Sequence, residues 1–243
     1  MLRITSLKKT HAADSARAAG GKFSLCIEDL RIERPGVYGL VGANGCGKST
    51  LAKLICGILK PDAGRIETAL GSRDITMVTQ KPYIMDDTVF NNLAYPLRIR
   101  GAKNVRGLCD EQLEKIGFLG RKHQMARGLS GGEKQKLALL RAMVFGPRLI
   151  ILDEAMTDLD LDSLDMFIGM ILERQARSPA AWIVISHQIA LVRRLCDRVF
   201  FMADGRLEAQ GPAEELLRSR NPAVRRYLGA NFLGGAGERP SIP

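Results

Sequence analysis

The chain has 243 residues, 46% hydrophobic and 26% charged, which is ordinary for a globular protein and gives room for one substantial domain with its own core. Its formal net charge is +10, but the basic residues are spread along the chain without an arm or a recognisable DNA- or RNA-reading module, so no specific nucleic-acid partner is expected. No apolar run approaches the roughly eighteen residues that cross a bilayer. The start MLRITSLKKT has no apolar signal region, and the five dispersed cysteines form no CxxC pair. Together these features point to a reducing cytoplasm.

In chain order, residues 10–21 are small and polar and read as a hairpin loop. Residues 37–41 (VYGLV) form a short apolar run, as in a buried strand, and a glycine-rich loop follows from Gly42. Residues 49–59 read as a helix stopped by Pro61 and Gly64, and residues 75–79 as another strand. Residues 86–145 carry helical patterns around 88–94, 106–116 and 132–145 with little strand signal, which predicts a helical lobe. Residues 149–152 (LIIL) and 182–186 (WIVIS) lack polar alternation, the mark of parallel strands covered on both faces, and residues 163–177 between them are helical. Repeated strand–helix crossovers give an α/β class. Residues 234–243 are rich in Gly and Pro and read as a frayed tail.

Residues 42–49 (GANGCGKS) fit G-x-x-x-x-G-K-[ST] in full, after an apolar strand and at the opening of a helix. Glycines let the backbone curl so that N–H groups point inward at phosphate oxygens, and the helix presents its positive end to the same anion. Gly42, Ala43, Asn44, Gly45, Cys46, Gly47, Lys48, Ser49 and Thr50 are the candidate nucleotide-binding residues. Lys48 reaches the β- and γ-phosphates, and the Ser49 hydroxyl suits Mg²⁺. A lysine and a helix start beside Cys46 favour a reactive thiolate there; the plainer reading is a small filler side chain.

Residues 129–133 (LSGGE) precede an amphipathic stretch, and residues 149–154 (LIILDE) follow about twenty residues later. Ser130 and Glu133 have capping-box spacing. With the phosphate cradle, these motifs make the sequence resemble the ATP-binding-cassette ATPases over residues 2–230.

The resemblance implies an α/β P-loop NTPase core, a mostly parallel sheet with flanking helices, carrying an antiparallel β edge and an inserted helical subdomain. The nucleotide-binding domain would span residues 1–230, with core segments 1–85 and 146–215, helical subdomain 86–145 and a tail at 231–243. It implies ATP and Mg²⁺ as ligands and a catalytic set of Glu154 as general base, His187 as switch histidine and Lys48. Ser49, Gln80 and Asp153 would hold the metal. Ser130, Gly131, Gly132 and Asp160 would meet the nucleotide of an opposing subunit, whereas His123 is a surface residue. The sequence departs from the family at residues 155–158, Ala-Met-Thr-Asp in place of Pro-Thr-Ser-Ala. No Phe, Tyr or Trp precedes Phe23, which leaves His11 as a substitute for the usual adenine-stacking ring.

By the same resemblance the chain pairs with a second ATP-binding subunit, as a homodimer. It works with integral membrane permease subunits on the inner face of the cell membrane, and with an extracytoplasmic solute-binding protein. Residues 80–101 are similar to the region that contacts permease helices in bacterial solute importers, where such stretches serve oxyanions such as tungstate, metal ions and amino acids; of these an inorganic ion is the cargo expected here. Two other functions fit the class: a soluble ATPase acting on nucleic acid or ribosomes, and a subunit that binds ATP for regulation without hydrolysis.

Overall fold

The computed structural model describes residues 1–12 and 22–232. Two compact units divide the chain: the first takes Met1, Arg34–Gly36 and Thr68–Ile183, and the second Leu2–Glu33, Val37–Glu67 and the chain from Val184.

The second unit begins with β1 (Leu2–Ala12) and β2 (Lys22–Ile32), an antiparallel pair in which Leu2 faces Ile32, Ile4 faces Leu30 and Leu7 faces Ile27. The buried positions switch parity between Ile4 and Leu7 on one strand and between Leu30 and Ile27 on the other. Ser6, at φ 48°, sits at the switch, so one local twist re-aims both strands toward the core. The loop expected over residues 10–21 is strand as far as Ala12; its remainder, and the tail at 234–243, lie outside the described residues.

β3 (Gly36–Gly42) is buried along its whole length, as an apolar run without alternation requires. α1 (Lys48–Ile55) follows it and is shorter than its sequence pattern suggests. Gly57 adopts φ 70°, its N–H bonds to the Leu54 carbonyl and that of Ile58 to Lys53, which is the Schellman closure of a helix. The glycine stops the helix before Pro61 has any say. β4 (Ala63–Thr68) completes this half of the unit.

In the first unit β5 (Ile75–Thr79) pairs in parallel with β6 (Leu149–Asp153). The intervening chain is helical: α2 (Val89–Arg98) is capped by the Thr88 side chain, α3 (Val105–Lys115) by Asn104, and α4 (Gly131–Met143) by Ser130. α5 (Leu161–Arg177) follows β6 and buries Phe167, Ile168 and Ile171. β7 (Ala181–Ile185) crosses the division between the units.

The second unit then adds α6 (Ile189–Leu195), β8 (Arg198–Ala203), β9 (Arg206–Pro212), α7 (Ala213–Leu217) and α8 (Pro222–Phe232). β8 lies parallel to β3 and antiparallel to β9, and β9 meets β2. The strand order in this unit is β4-β1-β2-β9-β8-β3, with the antiparallel β1–β2 pair toward one edge. The architecture is therefore the expected α/β class with an antiparallel edge.

Candidate nucleotide site

In the second unit, β3 delivers the chain to Gly42, where a tight turn opens the loop. α1 starts at Lys48 behind Gly47, which has no side chain to cap it, so the first-turn N–H groups face outward for an anion. Lys48 is 7% exposed; its ammonium donates to the Gly42 carbonyl at 2.7 Å and to that of Ala43 at 3.0 Å. A buried cation is thus stored on the loop's own carbonyls, where phosphate oxygens would compete for it. Ala43, Asn44, Gly45 and Ser49 are exposed and Thr50 is half-buried.

His187 follows the buried Ser186, whose hydroxyl accepts from the Gln188 N–H at 3.0 Å, and this turn leaves the imidazole exposed. His187 and residues 42–46 line one cavity of about 950 Å³. Phe23 lines it too, and a Cβ placed on Gly47 would meet the Phe23 ring at 3.0 Å. Phe23, which the sequence reading passes over in favour of His11, thus stands against the cradle. His11 lies at the end of β1 opposite Phe23, with its side chain outside the described residues. Cys46 is buried, and burial raises its thiol above the usual value against the pull of Lys48, as suits the filler reading.

In the first unit, parallel register sets Thr79 opposite Asp153, so the next residues, Gln80 and Glu154, leave adjacent strand ends. Asp153 is buried, Gln80 exposed and Glu154 half-buried. Glu154 has φ 54°, a conformation that side-chain-bearing residues avoid and that marks sites where surroundings override local preference. The Thr157 hydroxyl donates to Glu154 Oε2 at 3.0 Å. Asp160 caps α5 by accepting from the Ser163 N–H at 2.8 Å, and its carboxyl is held at about 2, chiefly by hydrogen bonds from Ser163.

The LSGGE residues form the start of α4. The Ser130 hydroxyl accepts from the Glu133 N–H at 3.3 Å, and Glu133 Oε2 accepts from the Ser130 N–H at 2.8 Å, closing the capping box. Arg121 donates to Glu133, and this bond, with the one from Ser130, holds the Glu133 carboxyl at about 2. A Cβ built on Gly131 meets nothing within 4 Å among the described residues, so packing within the chain does not call for glycine there.

The model of the ABC transporter family matches residues 28–157. The chain belongs to the ABC transporter family. As an ABC transporter subunit it is 36% identical over 219 residues to the tungstate uptake system ATP-binding protein TupC of Peptoclostridium acidaminophilum, a match covering 86% of this chain and 98% of that one. It is 31% identical over 249 residues to the methionine import ATP-binding protein MetN of Geobacillus kaustophilus, covering 94% of this chain and 70% of that one. A solved ATP-binding subunit of an ABC transporter superposes with a TM-score of 0.80 at 21% identity over 96% of this chain and 99% of its own, which shows the shared fold. The chain is an ATPase of the ABC transporter family.

Three polar residues near these motifs escape a motif reading: Arg121, Gln135 and Thr157. Gln135 left a trace in the ABC transporter sequence, because it falls on the face of α4 shared by Ala138, Leu139 and Ala142, where an apolar residue belongs.

Proposed function

We propose that this chain is one of a pair of ATP-driven subunits that power uptake of a small solute through separate membrane permeases. A groove of about 500 Å³ in the first unit, set among β5, α2 and α4, supports this most directly. Tyr83, Tyr95 and Ile99 line it, and Tyr83 is 77% exposed. Solvent-facing aromatic surface of this kind suits a docking partner. Arg141 donates to the Tyr83 carbonyl and to Asn92 Oδ1, fixing the backbone that presents the ring. No described helix is long and apolar enough to cross a membrane, so under this reading the translocation path lies in partner chains at the inner face of the cell membrane.

In the proposed cycle Lys48 leaves the Gly42 and Ala43 carbonyls for the phosphates of ATP, and Glu154 orients the attacking water. His187 and Gln80 face the γ-phosphate, while Ser130, Gly131 and Gly132 of an identical second subunit close over it beside Asp160. The side-chain free Gly131 supports close approach by an outside group. The donors that the family resemblance assigns to a metal are the Ser49 hydroxyl of the second unit and the Gln80 amide oxygen and Asp153 carboxylate of the first, all of them oxygens of the kind Mg²⁺ takes. Bound there, Mg²⁺ would neutralise charge on the transferred phosphoryl group. Nucleotide would favour the closed pair over the open one, and that difference in affinity is what drives the permease. The cargo is proposed as an oxyanion of the tungstate type, delivered by an external solute-binding protein, on the strength of the 36% identity to TupC.

The test is capture from membranes with tagged Glu154→Gln protein in ATP, followed by peptide identification, alongside the same protein with Tyr83→Asp added. Recovery of a multi-span permease that Tyr83→Asp abolishes is the expected result. Recovery of ribosomes, nucleic acid or nothing would overturn the importer reading.

A further inference from the structure

Gln135 is a polar side chain only 3% exposed on the apolar face of α4, and phosphate binding does not require it. Its Nε2 donates to the Ala155 carbonyl at 2.6 Å. Ala155 directly follows Glu154, whose left-handed backbone at φ 54° needs to be held by its surroundings. On the other side, the Thr157 hydroxyl holds Glu154 Oε2 at 3.0 Å. One residue further along α4, Lys136 stands 3.5 Å from Asp160, at the far end of the same loop. The first turns of α4 therefore grip the segment that carries Glu154 at both ends.

α4 is also the helix that opens with Ser130, Gly131 and Gly132, and its start is fixed by the Ser130–Glu133 capping box. Gln135 lies about 7.5 Å along the axis from Ser130, at 1.5 Å rise per residue. A helix moves as a rigid rod over that distance, so a displacement at its N-terminus reaches the Ala155 carbonyl almost undiminished.

We propose that Gln135 is a positioning residue that ties the placement of Glu154 to the position of the α4 N-terminus. Within the paired-ATPase reading, on which this rests, the two ends of that link serve different nucleotides. Ser130 to Gly132 read the γ-phosphate in the partner's cradle, whereas Glu154 acts on the nucleotide in its own. Gln135 thus lets each base respond to occupancy of the opposite site. The loop it holds is also the one where Ala155 stands in place of a more rigid proline, so the amide supplies a restraint that the backbone does not.

The experiment compares the full-length chain with Gln135→Met, which keeps the length and loses the donor, and with Thr157→Val and Thr157→Ser. ATP-driven dimerisation, melting temperature and ATPase rate against ATP concentration are measured for each. Gln135→Met should still dimerise and melt like the parent, yet lose about 10- to 100-fold in kcat. Its Hill coefficient should fall from about 2 to about 1. Thr157→Val should lower kcat with the Hill coefficient retained, and Thr157→Ser should restore the rate. Unchanged kcat and Hill coefficient in Gln135→Met would overturn the proposal, as would a loss of rate that merely follows a loss of melting temperature. If the parent chain itself neither dimerises in ATP nor hydrolyses it, the paired-ATPase reading fails and this inference falls with it. If the parent does both and Gln135→Met matches it, the inference alone fails.

Discussion

At Gly42 the turn out of β3 leaves no room for a side chain: φ is 149°, and a methyl group would stand 2.1 Å from the Met202 carbonyl oxygen and 2.9 Å from Cys46 Sγ. The carbonyl is backbone and cannot swing aside. Gly42→Ala should therefore cost about 1–3 kcal/mol through backbone strain alone, lowering the melting temperature by about 2–4 °C per kcal/mol. ATP affinity should drop with it, read by calorimetry; an alanine variant that melts and binds like the parent would show the loop to be more yielding than its packing. Cys46 gives a second check. Burial raises its thiol, and the thiols of Cys56 and Cys109 are pushed up to about 11 and that of Cys196 to about 12. Alkylation at neutral pH should consequently fall first on the half-buried Cys26, with Cys46 modified only on unfolding, as peptide mapping would show. The cradle was readable in sequence because its chemistry lies in eight consecutive residues and depends on backbone geometry that glycine alone supplies. Phe23 and Gln135 were not, since their roles depend on which residues the fold sets beside them.

Elements carry a different kind of information, and α4 shows it best. Its N-terminus is held by the Ser130–Glu133 box, and Arg121 anchors the box from outside the helix. The Glu133 carboxyl is held down to about 2 in the fold, well below the ordinary value of 4.5, mainly by the bond from Arg121. Because the folded value is depressed, this stabilisation is complete above about pH 4.5 and is lost as pH falls toward 2. Glu133→Gln should be less stable than the parent at neutral pH, and the gap in melting temperature should narrow steadily below pH 4.5. A gap that stays constant down to pH 3 would mean that the carboxylate charge is irrelevant to the cap. Arg121→Ala should show the same narrowing from the other partner. Loss of such a cap costs about 0.5–2 kcal/mol. The capping box is visible in sequence as Ser and Glu three apart, but Arg121, twelve residues from Glu133, is visible only once the chain has folded. The end of α1 was misplaced for the opposite reason: Pro61 is the louder signal, and Gly57 ends the helix first because its left-handed turn satisfies the last carbonyls at once.

For the whole molecule, the formal charge of +10 has two opposed consequences under the proposed function. Two identical chains that close on ATP bring like net charges together, and the bound nucleotides offset only part of the repulsion. The inner face of a cell membrane is anionic, so the same charge draws each chain toward its place of work. Salt screens both interactions over a Debye length that shortens from about 30 Å at 0.01 M to about 8 Å at 0.15 M. The responses should therefore run in opposite directions. Glu154→Gln protein in ATP should form more dimer as salt rises across that range, with association faster by up to about tenfold, while its retention on vesicles containing anionic lipid should fall. Light scattering reads the first and vesicle sedimentation the second. If dimer instead declines with salt, complementary charges at the seam outweigh the net repulsion; Asp158, exposed where the family pattern has alanine, would be the first residue to neutralise in locating them. Asp158→Ala would then weaken the dimer at low salt and flatten its salt dependence. Under repulsion by net charge, the same substitution makes each chain more positive and weakens the dimer at low salt, but steepens the recovery as salt is added. The sign of that change in slope separates a seam built on paired charges from one that closes in spite of them.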